Sequence, residues 1–234
     1  LSALLCVRDL SYSFPGKDSP LFSGVNLTVG AGEVVGIVGL SGSGKTTLCH
    51  CLSGIIPLIR TGDMQGVVRV MDRSTRDLTP ARIATRLGIV FQNPDTQLFF
   101  PRVEDEVAFG PENLCLAPEE IDRRITAALK TVGMEGFRHR NPHRLSGGEK
   151  QMIALASVLS LDPRVLIFDE ALSQLDAAGR KRILDLIGDL KRDGRAIVMV
   201  EHNPDNLVVA GQMMLLHEGT MSKFDGQWQR FAAL

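Results

Sequence analysis

Short, almost wholly apolar runs alternate along this chain with stretches of helical periodicity. Val34-Val35-Gly36-Ile37-Val38 carries no polar side chain, the pattern of a strand covered on both faces. Leu87 to Phe91, Val165 to Phe168 and Ala196 to Val200 repeat it. Between them the spacing predicts helices. One runs over Thr46 to Ser53. A second spans Pro118 to Val132, with Ile121, Ile125, Ala128, Leu129 and Val132 at helical intervals. A third spans Ala177 to Arg192, with Ile183, Leu186, Ile187 and Leu190 on one face. Alternating elements of this kind build an α/β fold: a mostly parallel sheet flanked by helices.

Two regions break the alternation. Leu5 to Phe14 and Leu27 to Val29 are short, alternating and turn-rich, and predict an N-terminal antiparallel β sub-sheet beside the main sheet. From about Phe99 to Arg144 the chain reads as mostly helical, with Pro101, Pro111, Pro118 and Pro142 as punctuation. This predicts a helical subdomain, about residues 93–145, inserted into one domain of residues 1–234. There is no internal repeat, low-complexity tract or long linker.

Composition narrows the function classes. The chain has 234 residues, 44% of them hydrophobic, enough for a substantial core. A formal net charge of −1 supplies no electrostatic drive toward nucleic acid. Cys6, Cys49, Cys51 and Cys115 lack a disulfide or metal-ligand pattern, and are expected as buried or half-buried free thiols in a reducing compartment. No apolar run reaches the ~18 residues of a membrane span. Leu1 to Leu5 has no basic segment or cleavage pattern, so no secretory signal is expected. The missing initiator Met is read as processing, or excision from a longer polypeptide.

The strongest chemical signal follows the first apolar strand. Gly39-Leu40-Ser41-Gly42-Ser43-Gly44-Lys45-Thr46 fits G-x-x-x-x-G-K-[ST], between a buried strand and a helix. Glycines let the backbone curl so that successive N–H groups point at a phosphate. The helix that follows adds its free N-terminal donors and positive dipole end. Lys45 reaches β and γ phosphates, the Thr46 hydroxyl suits Mg²⁺, and Thr47 completes the nucleotide-binding set.

Val165 to Phe168 runs into Asp169-Glu170. Alone, such a doublet is an ordinary pair of loop charges. Behind a phosphate loop, Asp169 is placed to hold Mg²⁺ through water and Glu170 to polarise the water that attacks the γ phosphate. Upstream, Leu145-Ser146-Gly147-Gly148-Glu149-Lys150-Gln151 precedes the apolar run Met152 to Leu161. It is a second helix N-terminus with small residues, hence a second anion-binding surface. One nucleotide already has its loop, so this surface suits a nucleotide held on another copy.

Leu-Ser-Gly-Gly-Glu between phosphate loop and acidic strand resembles the signature of ATP-binding cassette (ABC) ATPases, which are P-loop NTPases, and the resemblance covers nearly the whole chain. It implies Phe14 as the adenine-stacking aromatic, with Tyr12 the fallback, and Gln92 as the Q-loop residue that contacts Mg²⁺ and the attacking water. It makes Thr46, Gln92 and Asp169 the Mg²⁺ set. Ser173-Gln174-Leu175-Asp176 resembles the D-loop, and His202 the switch histidine that joins Glu170 and Gln92 in catalysis. Two cassettes of this family dimerise head to tail, so Ser146, Gly147, Gly148 and Glu149 would serve the partner's ATP. Ala171, Gln174, Met152 and Glu201 depart from the family's common residues, Glu201 standing where Thr or Ser is usual.

Gln92 to Phe99 and Val103 to Leu114 resemble more narrowly the ATPases of energy-coupling factor (ECF) transporters, the cobalt, nickel and vitamin uptake group. That implies a second ABC ATPase (homodimer, heterodimer or tandem fusion), a transmembrane coupling subunit and a substrate-binding membrane subunit, with this chain at the cytoplasmic face of the membrane and no nucleic acid as partner. The Glu201-His202 pair resembles one member of the paired ECF ATPases. Leu98, Phe99 and Phe100 either face the membrane partner or pack inside the helical subdomain. Glu104, Asp105 and Glu106 are candidates to pair with the partner's basic residues.

Two other classes fit less well. A soluble ABC-type ATPase acting on nucleic acid or ribosomes should carry a long coiled coil or basic linker, for which the proline-punctuated stretch from Gln92 to Leu145 is too short. Arg138-His139-Arg140 with His143 and Arg144 is a small basic cluster that reads as solvated surface. A P-loop kinase or GTPase leaves Ser146 to Glu149 and His202 unexplained.

Overall fold

The computed structural model describes residues 3–17 and 19–224; Leu1, Ser2 and the last ten residues lie outside that description. In chain order the elements are β1 (Ala3–Ser13), β2 (Phe22–Gly30), β3 (Val34–Val38), α1 (Lys45–Leu52), the single turn α2 (Ile55–Leu58), β4 (Asp63–Val70), β5 (Arg73–Ser74), α3 (Pro80–Ala84) and β6 (Leu87–Val90). Then follow α4 (Val103–Asn113), α5 (Pro118–Thr131), α6 (Gly147–Leu159), β7 (Val165–Asp169), α7 (Ala177–Arg192), β8 (Ala196–Glu201), β9 (Gln212–His217) and β10 (Thr220–Lys223).

Two sheets result. The larger runs β10-β9-β3-β8-β7-β6, with the five strands from β9 to β6 mutually parallel and β10 antiparallel at the edge. The smaller is antiparallel, β2-β1-β4-β5. The N-terminal sub-sheet is therefore completed by β4 and β5, which lie beyond the phosphate loop and were not legible as strands. Gly66 at φ 82 interrupts β4, and the exposed apolar Val67 breaks the alternation that Asp63, Gln65 and Arg69 otherwise carry.

Side chains of the central strands alternate between two cores, as the twofold period of a strand requires. Leu166 and Phe168 of β7 enter the core shared with α4–α7. Val165 and Ile167 enter the core shared with α1 and the antiparallel sheet. Each such large apolar side chain contributes about 1.5–3 kcal/mol on burial. The helices end where local chemistry dictates. Pro118 opens α5, with Glu119 and Glu120 at the positive dipole end and Lys130 in the last turn. No helix of the described residues is long and apolar enough to cross a membrane.

Cys49 and Cys51 are buried on α1 and Cys6 is half-buried, but Cys115 is exposed, against the expectation of four covered thiols. It sits at φ 54 in the tight loop after α4, where no packed element covers it.

Candidate active site

β3 delivers the chain into the loop Gly39–Gly44, and α1 begins at Lys45. Gly44 is left-handed (φ 98, ψ 11), and a Cβ there would meet Leu21 at 3.0 Å. A Cβ on Gly39 would come within 2.6 Å of the Leu216 carbonyl. α1 has no side-chain cap and no acid in its first turn, which leaves its N-terminal N–H groups and dipole for an external anion. Ser43 Oγ is buried in the same loop without a hydrogen-bond partner among the described residues. A cleft of about 330 Å³ opens over the loop, lined by Ser41, Gly42, Gly44, Thr46 and Thr47, with Lys45 and Glu170 and with Phe14 and Leu21 from the β1–β2 connection.

The buried Lys45 Nζ donates to the carbonyls of Gly39 (2.9 Å) and Leu40 (3.0 Å) and lies 3.3 Å from Glu170 Oε1. Asp169 ends β7, and its carboxylate accepts from the Thr46 hydroxyl at 3.3 Å. Burial pushes Asp169 up to about 6, against the Thr46 hydrogen bond and with help from the neighbouring Glu170 charge. The buried Cys49 thiol sits against Asp169 and is pushed upward by burial first and by that carboxylate second. Glu170 is left-handed at φ 50, a backbone state that costs a non-glycine residue about 1–3 kcal/mol. Its N–H donates to Val200 O at 2.8 Å, which holds the bend.

His202, just past β8, places Nδ1 3.6 Å from Glu170 Oε2. Gln92, just past β6, donates from Nε2 to Ser173 Oγ (3.2 Å), and the Ser173 hydroxyl donates to the Glu170 carbonyl (2.8 Å). Lys45, Glu170 and His202 thus form one contact chain, with Gln92 joined to it through Ser173. Of the three residues expected to share Mg²⁺, Thr46 and Asp169 are joined directly, while Gln92 bonds to Ser173. Ser173 was visible only as part of the D-loop stretch; its bridging role depends on strands β6 and β7 lying side by side.

Of the two candidate aromatics, Phe14 is about half exposed and lines the cleft. Tyr12 is buried, directs its hydroxyl to the Thr61 carbonyl (3.4 Å), and meets the Phe14 ring edge-on at 5.3 Å. Leu21 is an additional cleft residue without any sequence signal of its own.

Ser146 is the N-cap of α6. Its hydroxyl accepts from Glu149 N (3.4 Å), while Glu149 Oε2 accepts from Ser146 N and Oγ, both at 2.8 Å. Those bonds, from the Ser146 N–H first, hold the Glu149 carboxyl below its ordinary range. Glu149 is therefore turned onto its own helix end. Ser146 and Gly147 are exposed, and none of residues 146–149 lines the cleft. The buried Gln151 amide donates to the Phe91 carbonyl (3.0 Å), and Lys150 pairs with Asp95 (2.7 Å), so this helix end is tied to the segment around Gln92. Asp176 caps α7, accepting from Gly179 N at 2.7 Å.

With this geometry in place, the family model described as "ABC transporter" matches residues 22–173. The chain belongs to the ABC transporter family. It is 42% identical to a putative ABC transporter ATP-binding protein of Methanosarcina acetivorans over 91% of its own length, and spans about a third (33%) of that relative. It is 40% identical to the energy-coupling factor transporter ATP-binding protein EcfA of Methanococcus maripaludis, covering 94% of this chain and 78% of that one. Among solved structures it resembles cbiO1 of Clostridium perfringens, titled as part of the ABC transporter complex cbiONQ, with a TM-score of 0.85, 30% identity and coverage of 99% and 92%.

In this ABC transporter family chain the run Leu98 to Phe100 splits. Leu98 is buried in the helical core, Phe99 is 70% exposed, and the Phe100 ring packs at 5.5 Å on the half-exposed Phe109. Phe99, Phe109, Ala81, Ala84, Val158 and Leu161 help line an apolar cleft of about 260 Å³. The three acids do not form one free surface. Glu104 is held by Arg102, Arg138 and His139, and the buried Glu106 accepts the backbone N–H groups of Phe99 and Phe100. Among the described residues Glu104 alone of the three forms ion pairs, and Asp105 has neither an ion pair nor a side-chain hydrogen bond, so the expectation of three free acids is corrected for Glu104 and Glu106. In the basic cluster, Arg138 pairs with Glu104 and Asp122, and the Arg140 guanidinium sits 4.5 Å over the Phe137 ring.

Proposed function

We propose that this chain is the ATP-binding and ATP-hydrolysing subunit of an ECF-type ABC importer, powering uptake of a vitamin or a transition-metal ion through a membrane partner at the cytoplasmic face of the membrane. The observation that carries the reading is the split of the site. The cleft holds Lys45, Thr46 and Glu170, while the capped, exposed helix end at Ser146 does not line it, which suits use by another cassette. The EcfA and cbiO1 likenesses support the ECF type.

On this reading the loop amides and α1 bind the phosphates, and Lys45 exchanges its Gly39 and Leu40 carbonyls for phosphate oxygens. That movement frees Glu170 from its ion pair to polarise water in line with the γ phosphate. His202 and Gln92 orient the same centre, Gln92 through Ser173. The residues fit Mg²⁺: Thr46 and Asp169 already touch, Gln92 can supply a third oxygen, and all are hard donors. Thr46, Asp169 and Gln92 would hold the ion together with the bound phosphates. When bound, the ion neutralises charge on the phosphates.

Phe14 stacks the base. Residues 93–145 act as the helical subdomain that relays closure, with Phe99, Phe109 and Asp105 facing the transmembrane coupling subunit. ATP binding closes a dimer of cassettes, identical, paired or fused, and hydrolysis reopens it. The test is hydrolysis against protein concentration. Specific activity should rise with concentration as the shared sites assemble. Full activity per chain at every dilution would overturn the two-cassette site.

A further inference from the structure

One acidic side chain near the cleft takes no part in the chemistry above. Glu201 is the last residue of β8, and its side chain is fully buried. A buried carboxylate is stable only when its oxygens are hydrogen-bonded. Here Oε1 accepts the Leu172 N–H at 3.4 Å, and Oε2 accepts the Asn206 side-chain amide at 2.9 Å. Leu172 lies two residues after Glu170, in the loop that leaves β7. Asn206 lies four residues after His202, in the 3-10 turn Pro204–Leu207 whose start is capped by Asn203 onto Asp205 N. One carboxylate thus joins the two loops whose side chains meet at 3.6 Å, Glu170 Oε2 to His202 Nδ1.

We infer that Glu201 is a positioning residue for ATP hydrolysis: its carboxylate clasps the Glu170 loop to the turn after His202 and sets how those two side chains face each other. The inference rests on the reading of Glu170 as the water-polarising residue. The backbone bond from Glu170 N to Val200 O joins the start of one loop to β8, while Ser173 N to Glu170 O and Asn206 N to Asn203 O each lie within a single loop. Between the two loops, Leu172 and Asn206 have the Glu201 carboxylate as their common partner. Glu201 does not itself line the cleft, so its influence should fall on turnover rather than on nucleotide affinity.

The test uses the full chain under the concentration at which it hydrolyses ATP. Glu201→Ala should lower kcat by about tenfold or more, the scale for stranding a buried donor pair, with KM for ATP within about twofold of wild type. Because that variant strands two buried donors, a gentler pair keeps the question open to refutation if it fails to fold. Glu201→Gln keeps both bonds: its oxygen accepts from Leu172 N–H, and its amide donates to the Asn206 side-chain oxygen once that amide turns over. Asn206→Ala removes one arm of the clasp without stranding a buried backbone donor. E201Q should keep kcat within about threefold of wild type, and Asn206→Ala should lower it by more than that with KM for ATP unchanged. Thermal unfolding of each variant reports the folded fraction.

Unchanged kcat in folded Glu201→Ala or Asn206→Ala, loss that tracks only the unfolded fraction, or an E201Q variant as slow as Asn206→Ala would each overturn the inference. Glu170→Gln is assayed in parallel. If it also hydrolyses ATP normally, the reading of the site has failed; if it is inactive while Glu201→Ala and Asn206→Ala turn over normally, only the clasp has failed.

Discussion

The ammonium of Lys45 and the carboxylate of Glu170 lie 3.3 Å apart, one from the phosphate loop and one from the end of β7. Each neutralises the other until a phosphate competes for the lysine. The buried Lys45 has two carbonyl partners besides, so removing it deletes a charge from a covered position. Lys45→Ala should weaken ATP binding by about 10- to 100-fold, the scale of a charge-assisted contact. Titration calorimetry checks this, and unchanged affinity would remove Lys45 from the phosphate site.

Glu170→Gln keeps the side-chain shape and removes the charge. Nucleotide binding should persist, because Lys45 is then free of its ion pair, while hydrolysis falls by about 10²-fold or more. With ATP the variant should accumulate as a dimer on size-exclusion chromatography. Phosphate release at the wild-type rate would show that another group handles the water.

The two N-terminal aromatics separate cleanly. Phe14→Ala should cost about 1–3 kcal/mol of nucleotide affinity, the scale of base stacking, with little change in thermal stability. Tyr12→Ala should do the reverse, because Tyr12 is buried and packs at 6.1 Å on Phe22. Equal affinity losses in both variants would contradict the assignment.

Phe99 is the most exposed aromatic beside the apolar cleft, and its backbone is pinned by Glu106 rather than by its own ring. Phe99→Asp should abolish ATP-driven uptake in vesicles carrying the membrane subunits and leave hydrolysis by the isolated ATPase unchanged. Normal uptake would take Phe99 off the coupling surface.

Glu106 supplies a pH signature. Burial raises its pKa above the ordinary glutamate value, against the Phe100 and Phe99 N–H groups and His143, and with Asp105 pushing the same way. The folded chain therefore holds this proton more tightly than the unfolded one. Its contribution to stability is fully present below the ordinary value of about 4.3 and is lost as pH rises through the raised native value. The E106Q variant should lose that slope, so its urea midpoint should gain on wild type as pH rises. A wild-type minus E106Q difference that is flat with pH would refute a raised native pKa.

What the sequence determined by itself was whatever lies in one contiguous stretch. The phosphate loop is legible because its anion site is made by consecutive backbone N–H groups and the helix that follows them, and the Ser146–Glu149 cap because three residues of spacing close it. The parallel sheet is legible because strands covered on both faces read as unbroken apolar runs. Only the tertiary structure decided which residues meet across the chain. Strand order β3-β8-β7-β6 lays the ends of four strands side by side, bringing Lys45, His202, Glu170 and Gln92 together from positions far apart. It also chose Phe14 over Tyr12 for the cleft, turned Glu104 and Glu106 inward while leaving Asp105 free, and hid Glu201 between two loops. Such choices depend on which face of an element is covered and by what, and that is a property of packing rather than of any local pattern of residues.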